Sequence, residues 1–191
     1  MIKAIPSDKQ LVVNILADSF SQNQSVNFII KQDRKKGERI KALMDYSFDI
    51  CFLFGEVYLS DDKKGCALIL YPDKKKTTFR SIYLDGKLAI KCLGIKNLFK
   101  AMRREAVISK QHPNELMYYL WFIGVSIVHQ HSGIGSNLLQ DVMNEGSRQK
   151  RAVYLETSTL TNIPWYQHFG FTVYQEIDMG YKLFFLTKAL L

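Results

Sequence analysis

The chain has 191 residues, of which 47% are hydrophobic and 13% aromatic, so it is long enough to bury a sizeable core as one domain. Its formal net charge of +8 favours an anionic partner without choosing between a small phosphorylated ligand, nucleic acid and an acidic surface. Cys51, Cys66 and Cys92 are odd in number and widely spaced, which argues against a disulfide framework or a paired-cysteine zinc site. We therefore expect free thiols in or near the core.

The first twenty residues do not have the order of a secretory signal, because their longest apolar piece is short and is followed by Asp18. No uncharged run approaches the roughly 20 residues that span a bilayer, and the apolar run at 117–128 is better explained as a strand. The sequence thus predicts a soluble cytoplasmic protein without a membrane partner.

The N-terminal part of the chain predicts two helices. Ser7 and Gln10 have the spacing of a capping box, and a helical stripe of apolar residues follows from Leu11 to Phe20. A second helix is predicted over about 33–48. Its inward face consists of Ile40, Leu43, Met44 and Phe48.

A hairpin and a long basic segment come next. Apolar runs at 56–59 and 66–71 flank a polar turn, which predicts two antiparallel strands. Residues 72–113 are rich in lysine and arginine, with apolar residues at irregular helical spacing, and predict amphipathic helices packed over the sheet. A role at a membrane surface is the alternative interpretation of these helices. The run Lys74–Lys76 is read as a solvated loop, with steering of an acidic ligand as its alternative.

The central part of the chain reads as a strand, a glycine loop and a helix. Met117–Val125 has the composition of a strand buried on both faces, and Gly133 and Gly135 follow in a loop. From Gly135 onward, apolar residues recur on one helical face. The first N–H groups of such a helix can bind a pyrophosphate that glycines allow to approach closely, although the same glycines also suit a tight connection that binds nothing. The apolar positions are Leu138, Leu139, Val142 and Met143.

The C-terminal part predicts a second buried strand, a short helix and a hairpin. The strand covers 152–157 and should run parallel to the first one, because a crossover helix separates them. Asn162 is a candidate cap for the short helix, with Pro164 in its first turn and Gly170 after its end. Strands at 171–177 and 181–187 then close the chain.

Two motifs in this half resemble one enzyme family. The sequence from Gln130 to Gly135 resembles the acetyl-CoA loop of GNAT-superfamily N-acetyltransferases, whose pattern is Gln or Arg, two residues, Gly, one residue, and Gly or Ala. The sequence from Asn162 to Phe171 is similar to the ending of that family, in which Asn is followed four residues later by Tyr and then by Gly-Phe. A doubly wound nucleotide-binding sheet is the alternative fold, but it needs more strand and helix alternation upstream than the first half offers.

The resemblance implies a single domain over residues 1–191 of mixed α+β or α/β class, with three layers and a mixed central sheet. The parallel strands near 117–125 and 152–157 would splay apart, and a β-hairpin would end the chain. Residues 1–71 would supply N-terminal helices and a hairpin, residues 72–113 a variable helical segment on the acceptor side, and residues 117–175 the acetyl-CoA-binding core.

The resemblance also implies roles for individual residues. Tyr166 aligns with the general acid that protonates the departing thiolate of CoA. Glu156 is a candidate for the general base, with a structural hydrogen-bond acceptor and an anchor for the acceptor amine as the alternatives, which are together favoured over the base. A backbone N–H at the end of the fourth strand would stabilise the oxyanion. The expected cofactor-binding residues are Ile123, Gly124, Val125, Gln130, His131, Ser132, Gly133, Ile134, Gly135, Ser136 and Asn162.

The function implied by the resemblance is transfer of an acetyl group from acetyl-CoA, as co-substrate, to the primary amine of a small molecule by direct attack in a ternary complex. Protein or peptide N-acetylation and a non-catalytic acyl-CoA-binding regulatory domain remain alternatives. No metal is expected, because His129 and His131 lack a third ligand at useful spacing. Nucleic acid is not expected either, since aromatic residues are not interleaved with basic ones, and a homodimer is left open.

Overall fold

Seven strands form one mixed sheet in the computed structural model, which describes residues 1–190 apart from the side chains of residues 95 and 96. The strand order is β1-β2-β3-β4-β5-β7-β6, and every neighbouring pair is antiparallel except the parallel pair β4 and β5. The mixed sheet with its parallel pair and C-terminal hairpin confirms the predicted fold class. The strands are β1 (Ile2–Lys3), β2 (Gly55–Leu59), β3 (Gly65–Leu70), β4 (Met117–Val125), β5 (Ala152–Thr157), β6 (Thr172–Asp178) and β7 (Lys182–Lys188).

Helices cover both faces of the sheet and make three layers. On one face, α1 and α3 pack on side chains such as Tyr119 and Phe122. On the other face, α6 and α7 pack on alternating positions such as Tyr118 and Leu120, as expected for strands whose successive side chains point to opposite sides. The helices are α1 (Lys9–Ser19), α2 (Gln24–Ile29), α3 (Lys36–Phe54), α4 (Phe79–Leu88), α5 (Gly94–Ser109), α6 (Ile134–Arg148) and α7 (Ile163–His168).

The predicted capping box at the first helix is wrong. A short 3₁₀ turn over Pro6–Asp8 precedes α1, and the carboxylate of Asp8 accepts the N–H of Ile5 at 3.0 Å. The side chain of Gln10 donates to Asn14 within the helix and does not cap it. Proline favours the first position of a helical turn, so Pro6 starts the turn and places the α-helix two residues beyond Ser7.

The second predicted helix is longer than expected, and a helix before it was missed. The structure extends α3 to Phe54, because Ile50, Cys51 and Phe54 continue its buried face and nothing breaks the helix before Gly55. A Cβ at Gly55 would lie 1.9 Å from the carbonyl oxygen of Ile69, so the close approach of β2 and β3 requires glycine there. The missed helix α2 is six residues long and is capped by the side chain of Asn23.

The basic segment forms the predicted amphipathic helices but packs them differently. A π-helical stretch at Ala89–Leu93 joins α4 to α5, α4 packs on α3, and α5 packs on α2. The sheet is reached through Ile108, which packs on Leu183 and Phe185 of β7. Much of the apolar face of α4, including Phe79 and Ile82, is exposed. No helix among residues 1–190 combines the length and apolar character of a membrane span.

The central helix α6 makes the crossover between the two parallel strands. Its predicted apolar face at Leu138, Leu139, Val142 and Met143 is buried against the sheet. The helix lies so close to β5 that a Cβ on Gly146 would meet the side chain of Val153 at 2.9 Å. The three cysteines are free and buried, and burial raises the pKa of each thiol.

Candidate active site

The parallel strands β4 and β5 pair over only three residues and then separate. The register joins Met117–Tyr119 to Ala152–Tyr154, although β4 continues to Val125. Beyond this point β4 stays paired with β3 and β5 stays paired with β7, so the two strands are held apart by their outer neighbours. The backbone N–H and C=O groups that face each other across the split therefore lack ladder partners.

A cavity of about 1440 Å³ occupies this split and extends to both sides of it. At one end it is lined by the loop before α6, and at the other end by side chains of α2, α4 and α5. We call these the loop end and the acceptor end. Between them lie Leu120–Val125 of β4 and residues 155–159 at the end of β5.

Two residues with left-handed backbone shape the loop end. His131 has φ of 61° and Gly133, the N-cap of α6, has φ of 83°. The hydroxyl of Ser132 donates to the carbonyl of His129 at 2.5 Å, which closes the loop on itself. The loop thus directs the unpaired first N–H groups of α6 toward the cavity, where the helix dipole favours an anion.

The expected cofactor-binding residues lie together around this cavity, with two exceptions. Ser132 and Ile134 do not line it, because the Ser132 hydroxyl is turned to the loop and Ile134 packs beside Gly65. The others are Ile123, Gly124, Val125, Gln130, His131, Gly133, Gly135, Ser136 and Asn162.

The end of β4 is fixed by its surroundings. The carbonyl of Val125 accepts hydrogen bonds from Ser19 at 2.8 Å and from the Gln130 side chain at 3.3 Å. A Cβ on Gly124 would lie 3.0 Å from Leu16, so α1 presses directly on the strand at this point. These contacts hold the last residues of β4 in place without blocking the split.

The donor set of the cavity fits coenzyme A. The α6 N-terminus offers N–H groups for a pyrophosphate, and the open backbone of the split offers partners for the amides of a pantetheine arm. The Nδ1 atom of His129, which lines the cavity, is buried and has no hydrogen-bond partner among the described residues. A buried polar atom without a partner is uncommon in native structures and points to a ligand or water there.

Tyr166 extends from α7 to the wall of the cavity. Its ring packs between Trp165 and Phe171, and only 5% of the residue is exposed. Burial raises the pKa of its hydroxyl, which therefore carries a proton at neutral pH. Within the described residues the hydroxyl makes no hydrogen bond, yet it retains accessible surface.

Asn162 occupies the N-cap position of α7, but its side chain does not cap the helix. The expected capping hydrogen bond is therefore absent from the described structure. Because Asn162 lines the cavity, its amide remains available to a ligand. The Trp165 indole instead ties the two helices together by donating to the hydroxyl of Ser136 on α6 at 3.2 Å.

Glu156 lies on β5 with its side chain almost buried at the cavity wall. One carboxylate oxygen is 2.8 Å from Nε2 of His112, and the other accepts the hydroxyl of Tyr119 at 2.5 Å. The sequence assigned no partner to His112, which is separated from Glu156 by 44 positions. This network orients the carboxylate, and no short motif signals it.

The acceptor end contains further polar side chains that the sequence did not identify. On α5, the Arg104 guanidinium donates to Tyr181 at 2.9 Å and to Ser25 at 2.5 Å. The Tyr46 hydroxyl donates to Asp85 at 2.7 Å. These residues come from well-separated elements, several in or beside the segment 72–113, where the sequence pattern is least regular.

Metal ligands are not grouped in the described part of the chain. Among residues 1–190, no set of three or more His, Cys, Asp or Glu side chains is arranged to hold a metal ion. His131 is exposed, whereas His129 is partly buried beside the loop.

No family model matches the chain. A stretch of 60 residues, 31% of this chain, is 38% identical to an uncharacterised N-acetyltransferase of Schizosaccharomyces pombe. The chain spans about a quarter of the length of this curated relative, since the match covers 24% of it.

Solved structures match along almost the whole chain. A histone acetyltransferase HPA2 and related acetyltransferase from Corynebacterium glutamicum is 18% identical with a TM-score of 0.71, and the match covers 100% of this chain and 95% of that one. Arylalkylamine N-acetyltransferase 2 from Aedes aegypti is 15% identical with a TM-score of 0.64, and the match covers 100% of this chain and 98% of that one. Naa50 of Arabidopsis thaliana, solved with a bisubstrate analogue of CoA and a peptide, is 14% identical with a TM-score of 0.53. The match covers 99% of this chain and 97% of that one.

These matches agree with the two motifs and with the split sheet. The predicted resemblance is confirmed, and the chain has the fold of the GNAT-superfamily N-acetyltransferases.

Proposed function

We propose that this chain is an acetyl-CoA-dependent N-acetyltransferase whose acceptor is the primary amine of a small molecule. The observation that carries the proposal is the continuous cavity through the β4 and β5 split, with the loop before α6 and the start of that helix at one end and charged side chains at the other. Acetyl-CoA would supply the acetyl group as an activated thioester. The residues of this chain would bind it, orient the acceptor and move two protons.

The loop end would hold the cofactor by its backbone. The N–H groups of Gly133, Gly135 and Ser136 lie at the start of α6, where a pyrophosphate gains both hydrogen bonds and the helix dipole. Gln130 and His131 line the entrance to this site. The amide of Asn162, free of a capping bond, would bind the pantetheine arm.

The end of β4 would stabilise negative charge on the reacting carbonyl. Ile123–Val125 line the cavity where β4 has already parted from β5. A backbone N–H directed into a cavity away from bulk water is an effective donor to a developing oxyanion, because it needs no reorganisation during the reaction. The contacts at Gly124 and Val125 provide the rigidity that such a donor requires.

Tyr166 and Glu156 would handle the protons. The Tyr166 hydroxyl is protonated and retains accessible surface at the cavity wall, so it can donate to the departing thiolate. Glu156, oriented by His112 and Tyr119, would accept a proton from the acceptor amine. An amine anchor is the alternative role for this carboxylate, and the two roles differ in their effect on pH dependence.

Structures with this fold include an arylalkylamine enzyme and a complex with a peptide analogue, so the fold alone does not choose the acceptor. N-acetylation of a peptide therefore remains the second candidate function. A non-catalytic role is less consistent with a tyrosine that lines the cavity and whose hydroxyl has no hydrogen-bond partner in the described part of the chain.

Calorimetric titration with acetyl-CoA and CoA tests the cofactor assignment directly. A thiol-release screen across polyamines, amino acids, aminoglycosides and peptides then tests the transfer. We expect saturable binding of both forms of the cofactor and release of CoA with at least one small amine. A chain that binds neither acetyl-CoA nor CoA would overturn the proposal.

A further inference from the structure

Arg104 is a charged side chain deep in the protein whose described partners are both neutral. Its Nε donates to the hydroxyl of Tyr181, and its Nη2 donates to the hydroxyl of Ser25. Within the described part of the chain it forms no ion pair with a carboxylate. Three elements, α2, α5 and the turn before β7, therefore converge to hold a guanidinium without neutralising it.

The remaining face of this guanidinium opens into the acceptor end of the cavity. No described residue accepts a hydrogen bond from Nη1, and this nitrogen is not among the fully buried polar atoms that lack a partner, so it keeps accessible surface. Arg104 thus lies deep in the protein and yet keeps accessible surface, because that surface is the cavity wall. The hydroxyls of Tyr181 and Ser25 fix the plane of the guanidinium while leaving a donor edge free.

Such an arrangement is unfavourable unless a ligand completes it. A buried charge that is not ion-paired loses hydration that neutral hydroxyls restore only in part. Burial lowers the pKa of Arg104, and the neighbouring Tyr181 and Glu156 raise it by more, so the guanidinium remains charged. Groups held in this way are typical of functional sites, and a planar guanidinium edge matches a carboxylate in two-pronged geometry.

A carboxylate of the protein lines the same cavity close to this cation. Glu156 is near enough to act on Arg104 electrostatically but does not form an ion pair with it. The other charged residues lining the cavity are less suited to bind one end of a small acceptor, because Lys75, Asp85 and Glu105 are exposed and screened by solvent. The buried pair of opposite charges is therefore complementary to a molecule that carries both an ammonium and a carboxylate.

We propose that the acceptor is an amino acid with a free carboxylate, which Arg104 binds while the amine is directed toward Glu156. This inference rests on the proposed acetyl transfer and narrows its substrate class. In the transfer the bound ammonium first releases one proton to solvent, and the neutral nitrogen then forms the new amide bond while the bond from carbonyl carbon to sulfur breaks. The second nitrogen proton passes to Glu156 and the thiolate takes the proton of Tyr166. Exchange with solvent then removes the proton from Glu156 and returns one to Tyr166. A peptide N-terminus carries an amide where an amino acid carries its carboxylate, so it lacks the group that Arg104 would bind.

The test compares matched acceptors on the unaltered protein. Each set contains an amino acid, its amide and the decarboxylated amine with the same side chain, for example phenylalanine, phenylalaninamide and phenethylamine, with further sets for leucine and glutamine. Thiol release is followed with acetyl-CoA in excess. We expect the amino acid to exceed its amide in kcat/KM by about 10- to 100-fold in at least one set, the range for a charge-assisted hydrogen bond to a buried cation.

A matched pair of variants identifies the residue. Arg104→Gln removes the charge, whereas Arg103→Gln changes an exposed neighbour on the same helix that does not line the cavity. We expect the preference for amino acid over amide to fall at least tenfold in Arg104→Gln and to persist in Arg103→Gln. Calorimetry in the presence of CoA measures the affinities of both variants for the N-acetylated amino acid and for its amide. It therefore tests the same preference for a carboxylate without turnover.

The outcomes separate the two proposals. If CoA binds and the amides or amines are acetylated with the same kcat/KM as the amino acids, the acceptor inference is overturned and the transfer proposal stands. The inference is also overturned if amino acids are preferred but Arg104→Gln retains that preference while binding CoA normally. If neither CoA nor acetyl-CoA binds, the proposed function itself fails.

Discussion

The two ends of the cavity are built in different ways. The loop end is formed by one continuous stretch, the loop before α6 and the start of that helix, which offers backbone groups, whereas the acceptor end is formed by side chains of the separate helices α2, α4 and α5. A backbone site requires only glycines and a helix start at fixed spacing, so many sequences can form it. A side-chain site changes its ligand with each substitution. Such a difference would allow one fold to keep a cofactor site while its acceptor site varies.

The largest effect should come from the proton donor at the meeting point of the two ends. We expect Tyr166→Phe to lower kcat by about 100-fold or more, because general acid catalysis typically contributes that much. The affinity for acetyl-CoA should change little, since the ring and its packing remain. Steady-state kinetics and calorimetry measure both. The control is Tyr83→Phe, the same change at an exposed tyrosine. An unchanged kcat in Tyr166→Phe would contradict the role of Tyr166 as general acid.

Glu156→Gln should have the next largest effect and distinguishes a base from an anchor. A base must be unprotonated to accept the amine proton, so acid should lower the activity of the unaltered protein. We expect kcat/KM to decrease by about 100-fold and the acidic limb of its pH profile to disappear. An acidic limb that persists with a raised KM would instead indicate an amine anchor.

A smaller effect is expected at the loop end, where the backbone conformation matters. Gly133 has φ of 83° and open space around it, so Gly133→Ala introduces backbone strain without a steric clash. The left-handed conformation costs about 1–2 kcal/mol for a residue with a side chain, and part of this should appear as a several-fold weaker affinity for acetyl-CoA. Calorimetric titration measures the change.

Gly180 provides a close control for that experiment. It has φ of 84°, is equally open and lies in the turn between β6 and β7, away from the cavity lining. Gly180→Ala should therefore lower stability to a similar extent and leave acetyl-CoA affinity unchanged. Equal loss of affinity in both variants would show that the Gly133 effect is a general loss of stability.

The smallest effect on activity is expected at Glu56, a carboxylate on the sheet away from the cavity. Burial raises its pKa, but hydrogen bonds from Lys3, Tyr58 and Tyr71 outweigh burial and lower the pKa to about 2. A folded pKa below the ordinary 4.5 means that the ionised form stabilises the protein at neutral pH and that this contribution is lost as the pH falls from about 4.5 toward 2.

Glu56→Gln should accordingly reduce the free energy of unfolding at pH 7, and its difference from the unaltered protein should shrink as the pH approaches 2. Denaturant unfolding at a series of pH values measures this difference. Turnover at pH 7 should be unaffected, in contrast to Glu156→Gln. A difference in stability that does not depend on pH would contradict the role assigned to the ionised carboxylate.

The sequence predicted the loop end better than the acceptor end for a physical reason. The strands 117–125 and 152–157 are apolar runs with polar boundaries, and the spacings Gln130 to Gly135 and Asn162 to Tyr166 are local. Contacts such as Glu156 to His112 or Arg104 to Ser25 join residues 44 and 79 positions apart. Neither periodicity nor short motifs encode such contacts. The same limit explains why the sequence did not identify α3 and α2 as the helices on which α4 and α5 pack.

The three-residue ladder between β4 and β5 also links ligand binding to stability. It divides the sheet into two antiparallel blocks, β1–β4 and β5–β7, which are joined by this short seam and by α6. A ligand that occupies the split supplies backbone partners that the protein lacks, and it binds only when both blocks are folded. At a concentration one hundred times its Kd, such a ligand adds about 2.7 kcal/mol to the free energy of unfolding. The concentration of acetyl-CoA would then determine how often β4 and β5 separate, in addition to the rate of acetyl transfer.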